Sequence, residues 1–592
     1  MERPLTQQLI DTHDATTTMR GMTRLWTIRG GGSGGTLVDR VLAARGVTDP
    51  GEIRAILNPS MGALHDPSLI PDLDRAAERI LRAAKDGERI VIYGDYDVDG
   101  VTASAILVHT LRMIAPGADV GTYIPHRVEE GYGLNAESID QLADEGARVV
   151  VSVDCGITAI EPARRAGERG IDLIITDHHN PPETIGEMPD AFAVVHPRRP
   201  DSGYLFGELC GAGVAFKLAW RLATLDQGSD RVGSAMRGHL VEMLALAALG
   251  TIADVVPLVD ENRIIARFGL SMVRKTRIEG MSALIEASGL GSEKIDTEAV
   301  GFRLAPRLNA IGRLGHAREA LELLTEARGV RAQELAHRLS MVNEERRAME
   351  RRILEQAIEL AEAQGMTGHE RRAIVLAHED WHPGVVGIVC SRLVDRYARP
   401  AILMTRSEGR CKGSGRSIEG YNLHGAIGSC AEHLTSFGGH DMAAGLGCEE
   451  SCFDAFAEAL VEHANAALTP DDLVRKVTID TGAGVEELDV PSIESLESIG
   501  PFGAGNPKVR VLVEGAVLER DAAPFGKGAK HLSLSVKDPG GSRVSRVIGW
   551  DWFDRAQSLR RGQSVDLVVE PAVSRWNGRA NPEPVLVDLR VR

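Results

Sequence analysis

Three short apolar runs in this chain each end in acid. Residues 89–93 lead to Asp95, Asp97 and Asp99, residues 149–153 to Asp154, and residues 173–176 to Asp177-His178-His179. With residues 120–124 and 192–195 they read as strands alternating with helical stretches, the pattern of a parallel α/β sheet. A parallel sheet places the carboxyl ends of its strands along one edge, where open α/β sheets bind ligands. The acids and histidines are therefore predicted to converge. Asp254, in Gly250-Thr-Ile-Ala-Asp-Val-Val, closes an apolar helix. Alone it would read as a helix-terminal cap; beside the other three motifs it reads as part of the cluster.

Three carboxylates within five residues repel one another, and packing them at a strand end is costly unless cations neutralise them. A calcium loop of the D-x-D-x-D-G type would need Glu at its twelfth position and a helix before it. The twelfth residue from Asp95 is Ile106, and a predicted strand precedes it. About five carboxylates with one or two imidazoles favour hard six-coordinate ions, Mn²⁺ or Mg²⁺, over structural zinc, which would want thiolates. Cys155 reads as packing. Two such ions roughly 3.5–4 Å apart can activate a water and clamp the attacking and leaving oxygens of phosphoryl transfer. The residues thus point to metal-dependent phosphoester hydrolysis.

The 592 residues suggest about four domains at roughly 150 residues each. Residues 1–36, rich in Thr and Gly, read as a flexible tail. Residues 37–85 read as a helical cap over the next domain, and 86–325 as the catalytic α/β domain. Residues 326–371 hold a connecting helix, whose apolar positions recur over 334–360. It either bridges two lobes or packs along one domain. Residues 372–468 read as a second α/β lobe and 469–592 as a small β-barrel of short strands separated by Gly and Pro turns.

The formal charge is −17, which argues against nucleic acid until its distribution is considered. Residues 508–592 carry 15 Lys plus Arg against 10 Asp plus Glu, a local surplus of +5. Trp550, Trp552, Phe553 and Trp576 are interleaved there with arginines, as where bases stack and phosphates are tracked, although barrel aromatics are also commonly core. No run of about 18 uncharged apolar residues suggests a membrane span, since the best candidate, 243–256, is cut by Asp254. Seven scattered cysteines and no export signal point to a reducing cytoplasm.

Gly94-Asp-Tyr-Asp-Val-Asp-Gly, Val153-Asp-Cys-Gly-Ile, Thr176-Asp-His-His and Gly250-Thr-Ile-Ala-Asp-Val-Val resemble the four ordered motifs of the DHH phosphoesterase superfamily. Ala305-Pro-Arg-Leu-Asn-Ala-Ile-Gly-Arg, Trp381-His-Pro-Gly-Val-Val-Gly-Ile-Val, Gly413-Ser-Gly-Arg-Ser-Ile and Phe437-Gly-Gly-His-Asp-Met-Ala-Ala-Gly resemble its RecJ family of single-strand-specific 5′ to 3′ exonucleases. The resemblance implies a two-lobed DHH core, parallel-sheet domain plus DHH-associated α/β domain joined by a long helix, with an OB-like C-terminal barrel. It implies that Asp97, Asp99, Asp154, His178 and Asp254 ligate two divalent ions, that Asp95 ligates or hydrogen-bonds, and that His179 contacts the scissile phosphate. Arg127, Ser414 and Arg416 would hold a 5′-terminal phosphate; the residues alone allow Arg127 to pair instead with Glu129 or Glu130. Gly438, Gly439 and His440 would approach a phosphate closely, the alternative for the glycine pair being a tight turn. His382 has similar standing. Arg307, Asn309 and Arg313 are expected on a strand near the site, and Trp550 and Trp576 on the DNA-binding face of the barrel. Single-stranded DNA is the implied partner, with single-strand-binding protein and a RecQ-type helicase beside it, in recombination and repair. Two rivals stay open: a DHH hydrolase of short oligonucleotides or cyclic dinucleotides, and a replication scaffold that binds single strands without cutting them.

Overall fold

The computed structural model describes residues 17–30, 34–127, 130–576 and 578–592. They divide into two compact units.

The first unit comprises Pro59–Arg347 and Gly500–Pro507. Its five strands, all parallel, lie in the order Val120–Tyr123, Ile90–Gly94, Val149–Val153, Asp172–Thr176, Ala193–Val195. Both faces are covered, which is why these strands are nearly continuous apolar runs. Ile90, Ile92, Val149 and Val151 pack against helices Val98–Ile114, Gly211–Gln227 and Ser234–Ala253. Val91, Tyr93, Val150 and Ile175 pack on the other side against Ile139, Leu142, Ala163 and Ala166. Strand order reverses between the Ile90 and Val149 strands, so Asp95 and Asp154 leave the sheet at the switch point, where such sheets open a crevice. Among the described residues one helix, Ser234–Ala253, is long and apolar enough to cross a membrane, and 67% of its apolar window is buried in this protein.

The second unit contains Ala348–Ile499, Lys508–Arg592 and the chain up to Asn58. Strands Ile374–His378 and Ala401–Ser407 are parallel, joined through helix Pro383–Tyr397. Strands Arg410–Arg416, Ala443–Glu449 and Ser436–His440 follow antiparallel. Towards the C-terminus, strands Val511–Leu518, Ser564–Glu570, Val585–Val591, Ser545–Gly549 and His531–Lys537 pair in that order. The first returns to the last through Val517 and Lys537, closing a five-stranded barrel.

Three expectations and one alternative reading need correction. The described part of the expected tail is ordered: Thr17–Arg20 and Leu25–Ile28 form a hairpin, and the second strand runs parallel to Lys476–Ile479. Trp26 is fully buried there and donates through its indole N–H to Asp588 at 2.8 Å, an anchor that the surrounding Thr and Gly obscured. Residues 1–16 and 31–33 lie outside the described residues. The expected cap over residues 37–85 is divided: residues up to Asn58 belong to the second unit, where Arg45 grips Asp480 at 2.9 and 3.1 Å. Residues 305–314 are a helix, Ala305–Leu314, whose buried Leu308 and Ile311 recur at helical spacing. The Gly438-Gly439 pair lies within strand Ser436–His440 rather than in a turn.

The long helix runs Gly329–Ala363 and passes from the first unit to the second at Arg347–Ala348.

Candidate metal centre and phosphate-binding surface

In the first unit Asp95 follows strand Ile90–Gly94, and Asp97 caps helix Val98–Ile114, accepting from the Gly100 N–H at 3.1 Å. Asp99 sits in that helix's first turn. Its carboxylate accepts from the Gly211 and Ala212 N–H groups at 2.6 and 2.8 Å, at the start of a helix whose dipole favours negative charge. Asp154 ends its strand at φ +64°. His178 Nε2 lies 3.1 Å from Asp154 Oδ1, 3.6 Å from Asp254 Oδ2 and 3.8 Å from Asp99 Oδ2. Three overlapping triads result: Asp95, Asp97 and Asp154; Asp99, His178 and Asp254; Asp154, His178 and His179. In each, the donor atoms lie within 4.8 Å of one another. Glycine makes the closeness possible: a Cβ on Gly250 would meet Asp99 Oδ1 at 2.4 Å, and one on Gly211 would meet the Asp154 Cβ at 2.6 Å.

The donor atoms are short of partners. Asp95 Oδ1, Asp154 Oδ1 and His178 Nε2 are buried without a hydrogen bond, an expensive state unless something else satisfies them. Burial and the facing carboxylates push Asp95 and Asp154 well above the usual carboxylate range and Asp254 up to about 8. Burial holds His178 down to about 4, leaving its ring neutral and able to offer a lone pair. Carboxylate oxygens gathered around an imidazole, two of them buried without a hydrogen bond, fit hard divalent cations, for which all five expected ligands are gathered.

Of the other predicted residues in this unit, Arg127 stacks on Tyr96 at 4.7 Å. Glu130 instead accepts from the Tyr123 hydroxyl and the His126 N–H, both at 2.6 Å, while Glu129 lies outside the described residues. Asn309 accepts from the Val98 N–H at 3.0 Å and so braces the acid-bearing loop. Arg307 donates to Ser340 Oγ at 3.1 Å and to the Arg303 carbonyl at 2.5 Å. Arg313 lies in the last turn of the same helix.

The second unit gathers another group. Ser414 pairs with Gly445 and Gly445 with Gly438; Arg416 pairs with Ala443 and Ala443 with His440. Residues aligned across strands share a face, so Ser414, Arg416 and His440 stand together over a floor of glycine and alanine. At Gly439, with φ +136°, a Cβ would strike the Ala443 carbonyl at 2.3 Å. A Cβ on Gly387, in the early turns of helix Pro383–Tyr397, would lie 3.2 Å from Ser414 Oγ and 3.4 Å from an Arg416 guanidinium nitrogen. Hydroxyl, guanidinium and helix start suit an anionic group. His382 is spent as that helix's cap, accepting from the Gly384 N–H at 3.0 Å. On the barrel, Trp550 is 54% exposed, edge-on to His531 at 4.9 Å and 5.6 Å from Phe525. Trp552 is buried, and the Trp576 side chain lies outside the described residues.

Three family models match the chain: the DHH family N-terminal domain over residues 89–251, the DHHA1 domain over 370–466 and the RecJ OB domain over 479–588. The single-stranded-DNA-specific exonuclease RecJ of Bacillus subtilis is 40% identical over 94% of this chain and 68% of its own length. The chain belongs to the RecJ family. The crystal structure of Thermus thermophilus RecJ with Mn²⁺ superposes with a TM-score of 0.77 at 33% identity, covering 93% of this chain and 75% of that one. The Mg²⁺ complex gives 0.70 at 31%, over 93% and 74%.

Sequence reading of this RecJ-family chain placed Asp177 in the converging motif without giving it a role, and passed over Tyr132 and the Gly211-Ala212 amides. Asp177, fully buried, accepts from the His178 and His179 N–H groups at 2.7 and 3.1 Å, from His179 Nδ1 at 2.8 Å and from the Ile157 N–H at 2.9 Å. Burial alone would raise its pKa, but these bonds and the two imidazoles hold it well below the usual range. The Tyr132 hydroxyl reaches the Asp154 carbonyl and His179, at 3.2 Å each. The Gly211-Ala212 amides complete the set; their only sequence signal was small residues opening an apolar helix.

Proposed function

We propose that this chain is a metal-dependent exonuclease of single-stranded DNA that works 5′ to 3′ and releases 5′-mononucleotides. The observation that carries the reading is the convergence of Asp95 Oδ1, Asp154 Oδ1 and His178 Nε2, buried and without hydrogen bonds, at a parallel-sheet switch point. Family membership supports single-stranded DNA as substrate.

Asp97, Asp99, Asp154, His178 and Asp254 would hold two divalent ions, Mn²⁺ or Mg²⁺. When bound, such ions supply charge neutralisation, a lowered pKa for an attacking water and a clamp on the reacting oxygens. The protein's part is orientation. Asp99 is aimed by the Gly211 and Ala212 amides. Burial would push His179 down, but its bond to Asp177 and the nearby carboxylates lift it to about 9. His179 therefore keeps one proton on Nδ1 toward Asp177 and offers a second toward the phosphate. The Ser414, Arg416 and His440 face of the second unit is proposed to take a terminal 5′-phosphate, and gripping the end as a charged group would give the enzyme its polarity; Arg127 is proposed as a phosphate-binding cation of the first unit. Trp550, with Phe525 and His531, offers bases a stacking platform. Single-strand-binding protein and a RecQ-type helicase, as suppliers of unpaired strand, and a cytoplasmic role in recombination and repair belong to the same proposal.

The test follows one single-stranded DNA labelled separately at each end, with Mn²⁺, Mg²⁺ or chelator, beside a blunt duplex and a two-to-five-nucleotide oligomer. Early release of the 5′ label as mononucleotide, with metal and from unpaired DNA alone, is the expected result. Cleavage of the short oligomer alone would replace this reading with an oligonucleotidase; binding without cleavage would replace it with a scaffold. Asp154→Ala is expected to abolish hydrolysis while single-strand binding persists.

A further inference from the structure

Residues 500–507, Gly-Pro-Phe-Gly-Ala-Gly-Asn-Pro, lie more than 240 positions from Asp254 in sequence but in the same compact unit. The loop is closed on itself. Gly503 and Asn506 exchange N–H to carbonyl bonds of 2.8 and 3.2 Å, and the Asn506 amide donates to the Pro501 carbonyl at 2.8 Å. Its outer face clasps the chain just beyond Asp254. The Leu258 N–H donates to the Ala504 carbonyl at 2.7 Å, and Arg267 donates to the Gly500 carbonyl at 3.2 Å. There is no slack at the contact. A Cβ on Gly503 would stand 2.7 Å from Leu258 Cδ1, and one on Gly505, at φ +67°, would stand 2.9 Å from the Pro257 Cβ. The Asn262 side chain holds the Pro257 carbonyl at 3.1 Å.

Between this anchor and the end of helix Ser234–Ala253 only Asp254, Val255 and Val256 remain. Val255 is exposed and sits at φ +62°. A β-branched residue rarely adopts that conformation and keeps it only where the surroundings impose it. The close contacts on the chain that follows are those on Pro257 and Leu258. Directly before the turn stands Asp254, its carboxylate 3.6 Å from His178 Nε2.

We infer that the loop Gly500–Pro507 is a positioning element for the metal centre: its glycines fit against Pro257 and Leu258 and thereby fix Asp254 for ligation. The inference rests on the reading of Asp254 as a metal ligand. Residues that orient ligands without touching the ion typically contribute tenfold to a hundredfold in metal affinity. A brace that merely supported the fold would change thermal stability and leave ion affinity alone.

The experiment titrates the full-length chain with Mn²⁺ in the absence of DNA, following free Mn²⁺ by its electron paramagnetic resonance, with circular dichroism to verify folding. Asp254→Asn is expected to weaken or abolish one of two binding events. Gly505→Ala is expected to weaken the same event about tenfold or more and leave the other unchanged. Gly515→Ala, a positive-φ glycine of the barrel, is expected to change neither. Native Mn²⁺ affinity in Gly505→Ala beside a weakened Asp254→Asn would overturn the positioning role while leaving the ligand assignment standing. Two native binding events in Asp254→Asn would overturn the ligand assignment and the inference with it. If Gly505→Ala does not fold, Asn506→Ala, which opens the loop's internal bond without adding bulk against Pro257, is judged by the same titration.

Discussion

His178 and His179 are neighbours in sequence, yet burial drives the first ring down to about 4 while Asp177 and the facing carboxylates lift the second to about 9. One imidazole is thereby suited to share a lone pair and the other to give a proton, a division of labour set by environment rather than residue type. Asp177→Asn keeps the shape but removes the charge that holds His179 protonated. Turnover is expected to fall about tenfold to a hundredfold in single-turnover assays, with single-strand binding retained. Gly250→Ala forces a methyl onto Asp99 Oδ1 and the Ala212 Cβ, contacts of 2.4 and 2.6 Å. A loss of about 1–3 kcal/mol in urea unfolding is expected, along with weaker Mn²⁺ binding. The proposed ligands were legible because acids gathered at successive strand ends repel one another unless a cation stands among them. The role of Asp177 was not, because a carboxylate that orients a neighbour and one that faces a metal look alike as letters; only the four bonds it accepts separate them.

The parallel strands were predicted to within a residue or two of where they lie, since runs such as 149–153 are apolar throughout and bounded by turns. Helix Ala305–Leu314 was misread as a strand although Leu308 and Ile311 recur at helical spacing; it is short, and the π-helical turn Val300–Leu304 precedes it. The hairpin of Thr17–Arg20 and Leu25–Ile28 was missed because its stability is not local. It depends on Asp588, more than 550 residues away, which accepts from the Thr23 and Arg24 N–H groups at 3.1 and 2.9 Å and from the Trp26 indole. Trp26→Ala is accordingly expected to cost about 3–5 kcal/mol and to open the segment to limited proteolysis. The two barrel tryptophans make a matched pair. Trp550→Ala is expected to weaken single-strand binding by about 1–3 kcal/mol with unchanged melting, and Trp552→Ala to do the reverse, lowering stability because that ring is buried.

The charge balance has meaning only for the molecule as a whole: a −17 protein carries a C-terminal region of +5. Binding of unpaired DNA should therefore weaken with salt, with a log–log slope near −0.7 for each phosphate neutralised, and Lys530→Glu, which removes an exposed charge beside His531, should flatten that slope by about 0.7. The division of the chain into units was less legible than its motifs. Composition shifts place a boundary where the barrel pattern begins, but nothing in the letters of residues 500–507 announces that they fold with the α/β unit. That excursion has a consequence for anyone recombining relatives. The stretch recognised as the barrel module, residues 479–588, carries within it a patch of the neighbouring domain. A chimera cut at the module's borders would import a foreign loop behind Asp254, so cassettes that look interchangeable on paper are not independent units of inheritance.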